Sequence, residues 1–537
     1  MSHRVRARPP RGEPRRPLLL DGSDAAAYLQ DAARTPGGHA RRVALPRTEG
    51  EIAWVLRDSS AVLPVGAQSS LTGGATPFGE TVLSLSRLDT IGPITGDLVE
   101  VEAGVPLLTL IGELRRHGLF YPPVPTFWGA LAGGTAATNA AGAATFKYGA
   151  TRRWVESLCV LLASGDVLEI ERGQCLAHPD GYFEIESAAG ALCRVPIPSY
   201  RMPDVAKRSA GYHAEPNMDL VDLFIGSEGT LGVISRLRLR LRPDVPRLLG
   251  WVTLPSEVEA LRLVAALRDA ARTTWRAHDP RGLDVAAIES LDRRCLALLR
   301  EDGSDREHGL RLPPEAEAAL LFQVELPSGT DAAAALEQIG GWDEPGAGAG
   351  PLSQLCRLVG AAGALDAMEV ALPGDTRRAD ELLAVREAVP KAVNQRIAAA
   401  QRGGERGVHK TAADMIVPFD GLAEMIALYR EGFARRGLDH ALWGHVSDGN
   451  LHANAIPRST AEVELAEQAI LEFGEHVARL GGCPLSEHGV GRSPVKQELL
   501  RRLYGDEGIR QMRRTKAALD PESKLAPGLV FPAATSA

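Results

Sequence analysis

Two short stretches carry residue types that could do chemistry together. The first, Gly444–His452, reads GHVSDGNLH and sets His445 and His452 seven residues apart around Ser447-Asp448-Gly449-Asn450. Asp-Gly is a strong turn signal, and the flanking Ser and Asn favour turns as well. With Ser447–Asn450 as a four-residue loop, Val446 faces Leu451 and His445 faces His452 as a cross-strand pair, whose Cβ atoms would lie roughly 4.5–5.5 Å apart. Two imidazoles in that arrangement can close on one ion at about 2.0–2.1 Å. A helix would instead separate them by about 10.5 Å along its axis, and Asp-Gly would break it. The second stretch, SEHGVGR from Ser486 to Arg492, offers Glu487 as a hard oxygen ligand with His488 beside it. Two histidines and a carboxylate leave coordination positions open, as a working metal site does and a closed structural one does not. The competing reading of His445 and His452 is a hydrogen-bonded histidine pair with no ion.

Three glycine-rich stretches offer anion-binding chemistry of another kind. Pro64–Gly74 reads PVGAQSSLTGG, Leu131–Gly142 reads LAGGTAATNAAG, and Ile225–Val233 reads IGSEGTLGV. Small side chains let backbone N–H groups approach a phosphate, and Ser69, Ser70 and Thr72 add hydroxyl donors. Any one of these loops alone is a weak signal, because such stretches are usually just turns. None fits the Walker pattern or a strand-to-helix G-x-G-x-x-G unit, which disfavours a nucleotide triphosphatase or a Rossmann dehydrogenase.

The elements that must position these residues follow from hydrophobic patterning. Between Val43 and Leu241, strand-length runs at Ala61–Val65, Thr81–Leu85, Leu98–Val101 and Leu158–Leu162 alternate with glycine turns. Leu107, Leu110, Ile111 and Leu114 share one face of a helix over Pro106–His117, and a long strand over Gly232–Leu241 ends at Arg242-Pro243. After Pro246 come helices at Glu257–Arg272, Ala332–Ile339, Gly421–Arg436 and Ala461–Leu480, with a strand at Ala319–Leu326. Gly340–Pro351, GGWDEPGAGAGP, reads as a surface loop.

Composition sets the outer bounds. A chain of 537 residues exceeds one compact core, so two or three domains are expected. The formal charge of −8 argues against a nucleic-acid surface, and no run approaches the length of a membrane span. Six scattered cysteines (Cys159, Cys175, Cys193, Cys295, Cys356, Cys483) form no C-x-x-C pair, which suggests reduced thiols and a cytoplasmic protein. The arginine-rich start, MSHRVRARPPRGEPRRPLLLDG, has too short an apolar run for a signal peptide and reads as a solvated basic tail.

Taken in order, PVGAQSSLTGG, GGTAATNAAG with Lys147-Tyr148-Gly149 behind it, and LFIGSEGTLGVI resemble the FAD domain of the vanillyl-alcohol-oxidase-type (PCMH-type) flavoproteins. GHVSDGNLH, SEHGVGR and the ending LDPESKLAPGLVF narrow the resemblance to its glycolate oxidase D-subunit, D-lactate dehydrogenase and D-2-hydroxyglutarate dehydrogenase branch, from about Val43 to Phe531. The resemblance implies an α+β fold: a basic tail and N-terminal helix over 1–36, a two-subdomain FAD-binding domain over 37–243, and an α+β substrate domain over 244–537 with an antiparallel sheet and helices. The last fifty or so residues are then expected to pack back near the flavin.

The same resemblance assigns the flavin to three groups of residues. The first is Gly66, Ala67, Gln68, Ser69, Ser70, Thr72, Gly73 and Gly74; the second is Gly133, Gly134, Thr138, Asn139, Gly142, Tyr148 and Gly149; the third is Glu228, Gly229, Gly232, Val233 and Ile234. Ala67-Gln68-Ser69-Ser70 departs from the usual G-G-[GN]-T, but its small residues keep the loop tight. The loop has no histidine or cysteine, so non-covalent FAD is expected. His445, His452 and Glu487 take the metal-ligand roles for a divalent ion (Zn, Mn, Fe or Co), and His488 that of catalytic base. Arg386, in an Arg-Glu pair at the start of a helix, would grip a substrate carboxylate, with Lys410 and Asn450 as further substrate contacts. The implied reaction is FAD-dependent, metal-assisted oxidation of a D-2-hydroxy acid. The electrons would pass to an external acceptor: a quinone, a cytochrome or an electron-transfer flavoprotein. An alkyl-dihydroxyacetone-phosphate synthase-like enzyme and a catalytically idle flavin-binding subunit are the alternatives. Homodimerisation and peripheral membrane association are open expectations.

Overall fold

The computed structural model describes residues 2–343 and 350–532, and the chain divides into two compact units. The first comprises Met1–Gly142, Gly149–Pro243 and Cys483–Ala537; the second comprises Ala143–Tyr148 and Asp244–Gly482.

In chain order the strands of the first unit are β1 (Arg4–Arg6), β2 (Leu18–Leu20), β3 (Arg42–Leu45), β4 (Val62–Val65), β5 (Thr81–Ser84), β6 (Ile91–Thr95), β7 (Leu98–Glu102), β8 (Leu119–Phe120), β9 (Val155–Leu161), β10 (Val167–Glu171), β11 (Tyr182–Glu186), β12 (Leu192–Pro196), β13 (Val233–Arg240) and β14 (Arg242–Pro243). One sheet runs β2-β3-β5-β4, with β5 parallel to both β3 and β4. Parallel strands need a crossover, and the helix Glu49–Asp58 supplies it between β3 and β4, which flank β5. The other large sheet, β10-β9-β13-β7-β6, is antiparallel. Val43, Leu63, Val65 and Val82 form a core with Ala526 and Leu529, which brings the segment after the final long helix onto the parallel sheet.

The arginine-rich start is not the solvated tail its composition suggests. Arg4–Arg6 pairs in parallel with Glu184–Glu186, and Arg8 reaches Glu49 at 2.8 Å and Glu169 at 2.7 Å. Those carboxylates lie far along the chain, so the sequence pattern near the terminus carries no trace of them.

The second unit adds β15 (Arg247–Leu254), β16 (Asp284–Asp292), β17 (Ala318–Glu325), β18 (Met368–Ala371), β19 (Thr411–Ile416), β20 (His440–Gly444) and β21 (Asn450–Ala455). They form one seven-stranded antiparallel sheet in the order β18-β15-β17-β16-β20-β21-β19. The helix Thr376–Arg402 buries Leu382, Val385, Val389 and Val393 against Trp251, Leu291 and Leu321. That spacing of three to four residues is one helical face, and it carries the neighbouring Arg386 inward. Arg386 therefore sits well inside a long helix rather than at its start. Of the glycine-rich loop expected at Gly340–Pro351, Gly340 ends the helix Ala332–Gly340 and Pro351 opens the next, while 344–349 lie outside the described residues.

Candidate functional site

In the second unit His445 and His452 come together, but not by the ladder expected for them. The register pairs Trp443, not His445, with His452. The connection is longer than four residues: His445 lies in the turn, where its carbonyl accepts from the N–H groups of Asp448 and Asn450, each at 3.2 Å. Gly444 makes this possible, with φ of +147° and space for an added Cβ only 2.9 Å from the Asn450 carbonyl oxygen. The turn is clamped to β16, since Ser447 Oγ accepts from Ile288 N at 3.1 Å. As a result the two imidazoles meet edge to face, centroids 5.4 Å apart, each offering a ring nitrogen within 4.8 Å of the other's.

Each histidine has a carboxylate at Nδ1. Clamping the turn beside Ile288 brings the next residue, Glu289, into hydrogen-bond contact with His445 Nδ1. Asp414 is the cross-strand partner of His452, and its Oδ1 lies 3.4 Å from Nδ1. All four side chains are buried. Carboxylates at both Nδ1 atoms favour the Nδ1–H tautomer and leave Nε2 of each ring as the lone-pair donor, which is the donor set a divalent ion requires. The residues present in this unit therefore fit a metal.

Arg386 is buried in the same unit and shares Glu289. Its Nε donates to Glu289 Oε2 at 3.1 Å and its Nη1 to Glu387 Oε1 at 2.7 Å. Nη2 finds no partner among the described residues. Burial works against the guanidinium charge, but Glu289 and Glu387 outweigh it and hold the pKa above its ordinary value. Asn450 spends its amide on Asp414 at 3.3 Å and the Met415 carbonyl at 2.9 Å, so its clearest work is to brace the turn. Lys410 is exposed immediately before β19.

The first unit holds Glu487 and His488. The fully buried Lys207 places Nζ 2.7 Å from Glu487 Oε1. His488 stands in the left-handed region at φ +64° and is partly exposed, its Nε2 3.8 Å from Glu487 Oε2. Glu228 fixes this loop by accepting from Val490 N at 2.7 Å and Gly491 N at 2.8 Å. The carboxylate assigned to the flavin is thus engaged with SEHGVGR.

The three glycine-rich loops meet in that unit. Gly66 faces Gly134, a Cβ built on it falling 3.8 Å from the Gly134 Cα, whereas a Cβ on Gly134 would meet nothing within 4 Å. The third loop docks on the second through Gly226 N to Ala136 O at 3.0 Å and Glu228 N to Ala137 O at 2.8 Å. Ser70 Oγ accepts from Thr72 N and Gly74 N, and Gln68 at φ +52° and Gly73 at φ +73° turn the first loop. A side chain at Gly491 would strike Thr72, so SEHGVGR closes against the first loop. Small-residue walls around open space at Gly134 fit a flat, phosphate-bearing cofactor.

Other members of the assigned set do structural work. Gly133 and Gly232 allow close packing on Ala103 and Val160, and Gly142 on Val124. Asn139 bonds the Arg208 carbonyl at 3.2 Å and Thr138 the Gly134 carbonyl at 3.0 Å, while Val233 and Ile234 are buried at the start of β13. Tyr148 belongs to the second unit, where its hydroxyl and Lys147 Nζ both contact Glu325.

Comparison with known proteins shows the family. Residues 254–530, more than half the chain, match the family described as FAD linked oxidases, C-terminal domain, and 40–171 match the FAD binding domain. The chain belongs to the FAD-linked oxidases. Among similar proteins of this family, glycolate oxidase subunit GlcD of Bacillus subtilis is 28% identical, with 96% of this chain and 94% of that protein covered. D-2-hydroxyglutarate dehydrogenase of Xanthomonas citri is 29% identical over the same shares, and D-lactate dehydrogenase of Anaerostipes hadrus 27% identical over 87% and 84%. A solved alkyldihydroxyacetonephosphate synthase shares the fold at a TM-score of 0.58, with 13% identity and coverage of 95% of this chain and 82% of that one. FAD is the cofactor of this FAD-linked oxidase. No helix among the described residues is long and apolar enough to cross a membrane.

Sequence pattern did not point to Glu289, Asp414 and Lys207 as parts of the site. Glu289 and Asp414 carried a signal: each is a single acid inside an apolar strand run, VAAIESL and TAADMIV. A charge in such a run needs a buried partner. Nothing local marks Lys207.

Proposed function

We propose that this FAD-linked oxidase oxidises a D-2-hydroxy acid to the 2-oxo acid with the help of a divalent metal. The observation that carries the reading is the pair His445 and His452, each with a carboxylate at Nδ1, beside a buried arginine that shares one of those carboxylates. The relatives point the same way, since glycolate, lactate and 2-hydroxyglutarate are all 2-hydroxy acids.

His445 and His452 would hold the ion, and the family resemblance adds Glu487 of SEHGVGR as a further ligand. When bound, the ion supplies positive charge that lowers the pKa of the substrate hydroxyl. FAD, when bound, supplies the acceptor for the hydride that leaves the α-carbon. Arg386 presents Nη2 to the substrate carboxylate, and the fixed plane of its guanidinium orients the acid. His488 takes the hydroxyl proton as general base, a role that suits its partial exposure and its place beside Glu487.

A panel of D- and L-2-hydroxy acids scored by anaerobic flavin reduction, with and without chelator, tests the proposal. D-acids should bleach the flavin, and chelator should slow the bleaching. Flavin inert to every acid, or bleaching indifferent to complete removal of metal, would overturn it. His488→Ala should reduce the flavin about 10²–10⁴-fold more slowly; reduction at the wild-type rate would remove it as the base.

A further inference from the structure

Glu289 is in contact with both His445 and Arg386. Its Oε1 meets His445 Nδ1 and its Oε2 lies 3.1 Å from Arg386 Nε. All three groups are buried, and the contacts come from three separate elements: β16, the turn after β20, and the helix Thr376–Arg402. The backbone supports the junction, since Ile288 and Ser447 bond reciprocally, N to Oγ at 3.1 Å and N to O at 3.3 Å.

We infer that Glu289 is a positioning residue that sets the tautomer of His445 and the direction of Arg386 at once, so that metal affinity and carboxylate recognition depend on one group. This rests on the proposed metal-assisted oxidation. The two oxygens of the Glu289 carboxylate both accept, one hydrogen bond from each partner. His445 donates the first through Nδ1–H, the tautomer that puts the lone pair on Nε2. Arg386 donates the second through Nε–H, which, with Nη1 held by Glu387, fixes the plane of the guanidinium. The negative charge also offsets the buried guanidinium, which burial alone would disfavour.

The isosteric change Glu289→Gln exposes the coupling because an amide has only one acceptor end. If its oxygen faces Arg386, its NH₂ faces His445 Nδ1 and forces the Nε2–H tautomer, which cannot ligate. If its oxygen faces His445, NH₂ opposes the Arg386 Nε–H and the guanidinium swings. Neither orientation satisfies both groups.

The test uses full-length, FAD-loaded protein. Co(II) affinity is measured by chelator competition, the His445 tautomer by ¹⁵N NMR of histidine-labelled protein, and KM and kcat separately for a D-2-hydroxy acid. Glu289→Gln should bind Co(II) about 10–100-fold more weakly, lose the Nδ1–H signal of His445 or raise KM more than it lowers kcat, and keep its flavin. Glu289→Asp, which keeps two acceptors, should restore the tautomer and part of the affinity; it also serves if the glutamine variant does not fold. Variants that keep the wild-type tautomer, Co(II) affinity and KM would overturn the inference. Wild-type protein that binds no Co(II) while Glu289→Gln still shifts the His445 tautomer would sink the metal reading and leave the positioning role intact.

Discussion

Asp414 and His452 face each other directly across the β19–β21 ladder, with the Asp414 carboxylate 3.4 Å from His452 Nδ1. The ladder register itself therefore orients one imidazole, while its neighbour His445 is oriented from β16 by Glu289. Two different strands thus supply equivalent carboxylates to two histidines.

Asp414→Asn keeps the volume but can present a donor in place of the acceptor, and it also disturbs the Asn450 amide that bonds Asp414. Metal affinity should fall about 10–100-fold, read by titration of the metal-depleted protein with Zn(II). An unchanged isotherm would show that the ladder alone orients His452.

Gly449 is the tightest point of the histidine turn. It has φ of +86°, and an added Cβ would lie 2.2 Å from the Val417 carbonyl oxygen. Backbone cannot yield as a flexible side chain would, so Gly449→Ala should cost about 2–4 kcal/mol. Denaturant unfolding measures the loss, and metal binding should weaken with it.

Gly491, in SEHGVGR, stands at φ +57°, with an added Cβ 2.5 Å from the Thr72 carbonyl oxygen. Gly491→Ala should push the first glycine-rich loop away from its observed path. We expect FAD to be retained about tenfold more weakly, a difference near 1.4 kcal/mol. Flavin release followed by fluorescence on dilution checks this, and wild-type retention would remove the loop contact from the binding site.

His213 gives a pH dependence. Burial, and next the Arg152 guanidinium, push its pKa from 6.5 down to about 2. Between those values the unfolded chain binds a proton that the folded chain does not, so stability rises with pH across the window and is lost as pH falls below 6.5. A single group contributes a slope of about 1.4 kcal/mol per pH unit. Chemical denaturation at pH 7 and pH 5 should show that the neutral variant His213→Gln loses less stability on acidification than the wild type; equal losses would contradict the assignment.

Local pattern alone made much of this protein legible. The helix around Leu107–Leu114, the strands at Val62–Val65 and Thr81–Ser84, the three glycine-rich loops and the two histidine motifs all depend on neighbours within a few residues, and periodicity or turn chemistry reports those directly. The family followed from the order of the motifs. What the tertiary structure decided depends on partners distant along the chain. The register that sets Trp443 opposite His452 comes from the whole turn and its clamp on Ile288, not from Asp448-Gly449. Arg4–Arg6 became a strand because β11 lay beside it, and Tyr148 bonds Glu325, 177 residues along the chain. Glu289 shows the division most clearly. Its sequence context marks a buried charge in a strand, but only folding shows that the charge is shared between His445 and Arg386, because hydrogen bonds between residues so far apart leave no periodicity to read.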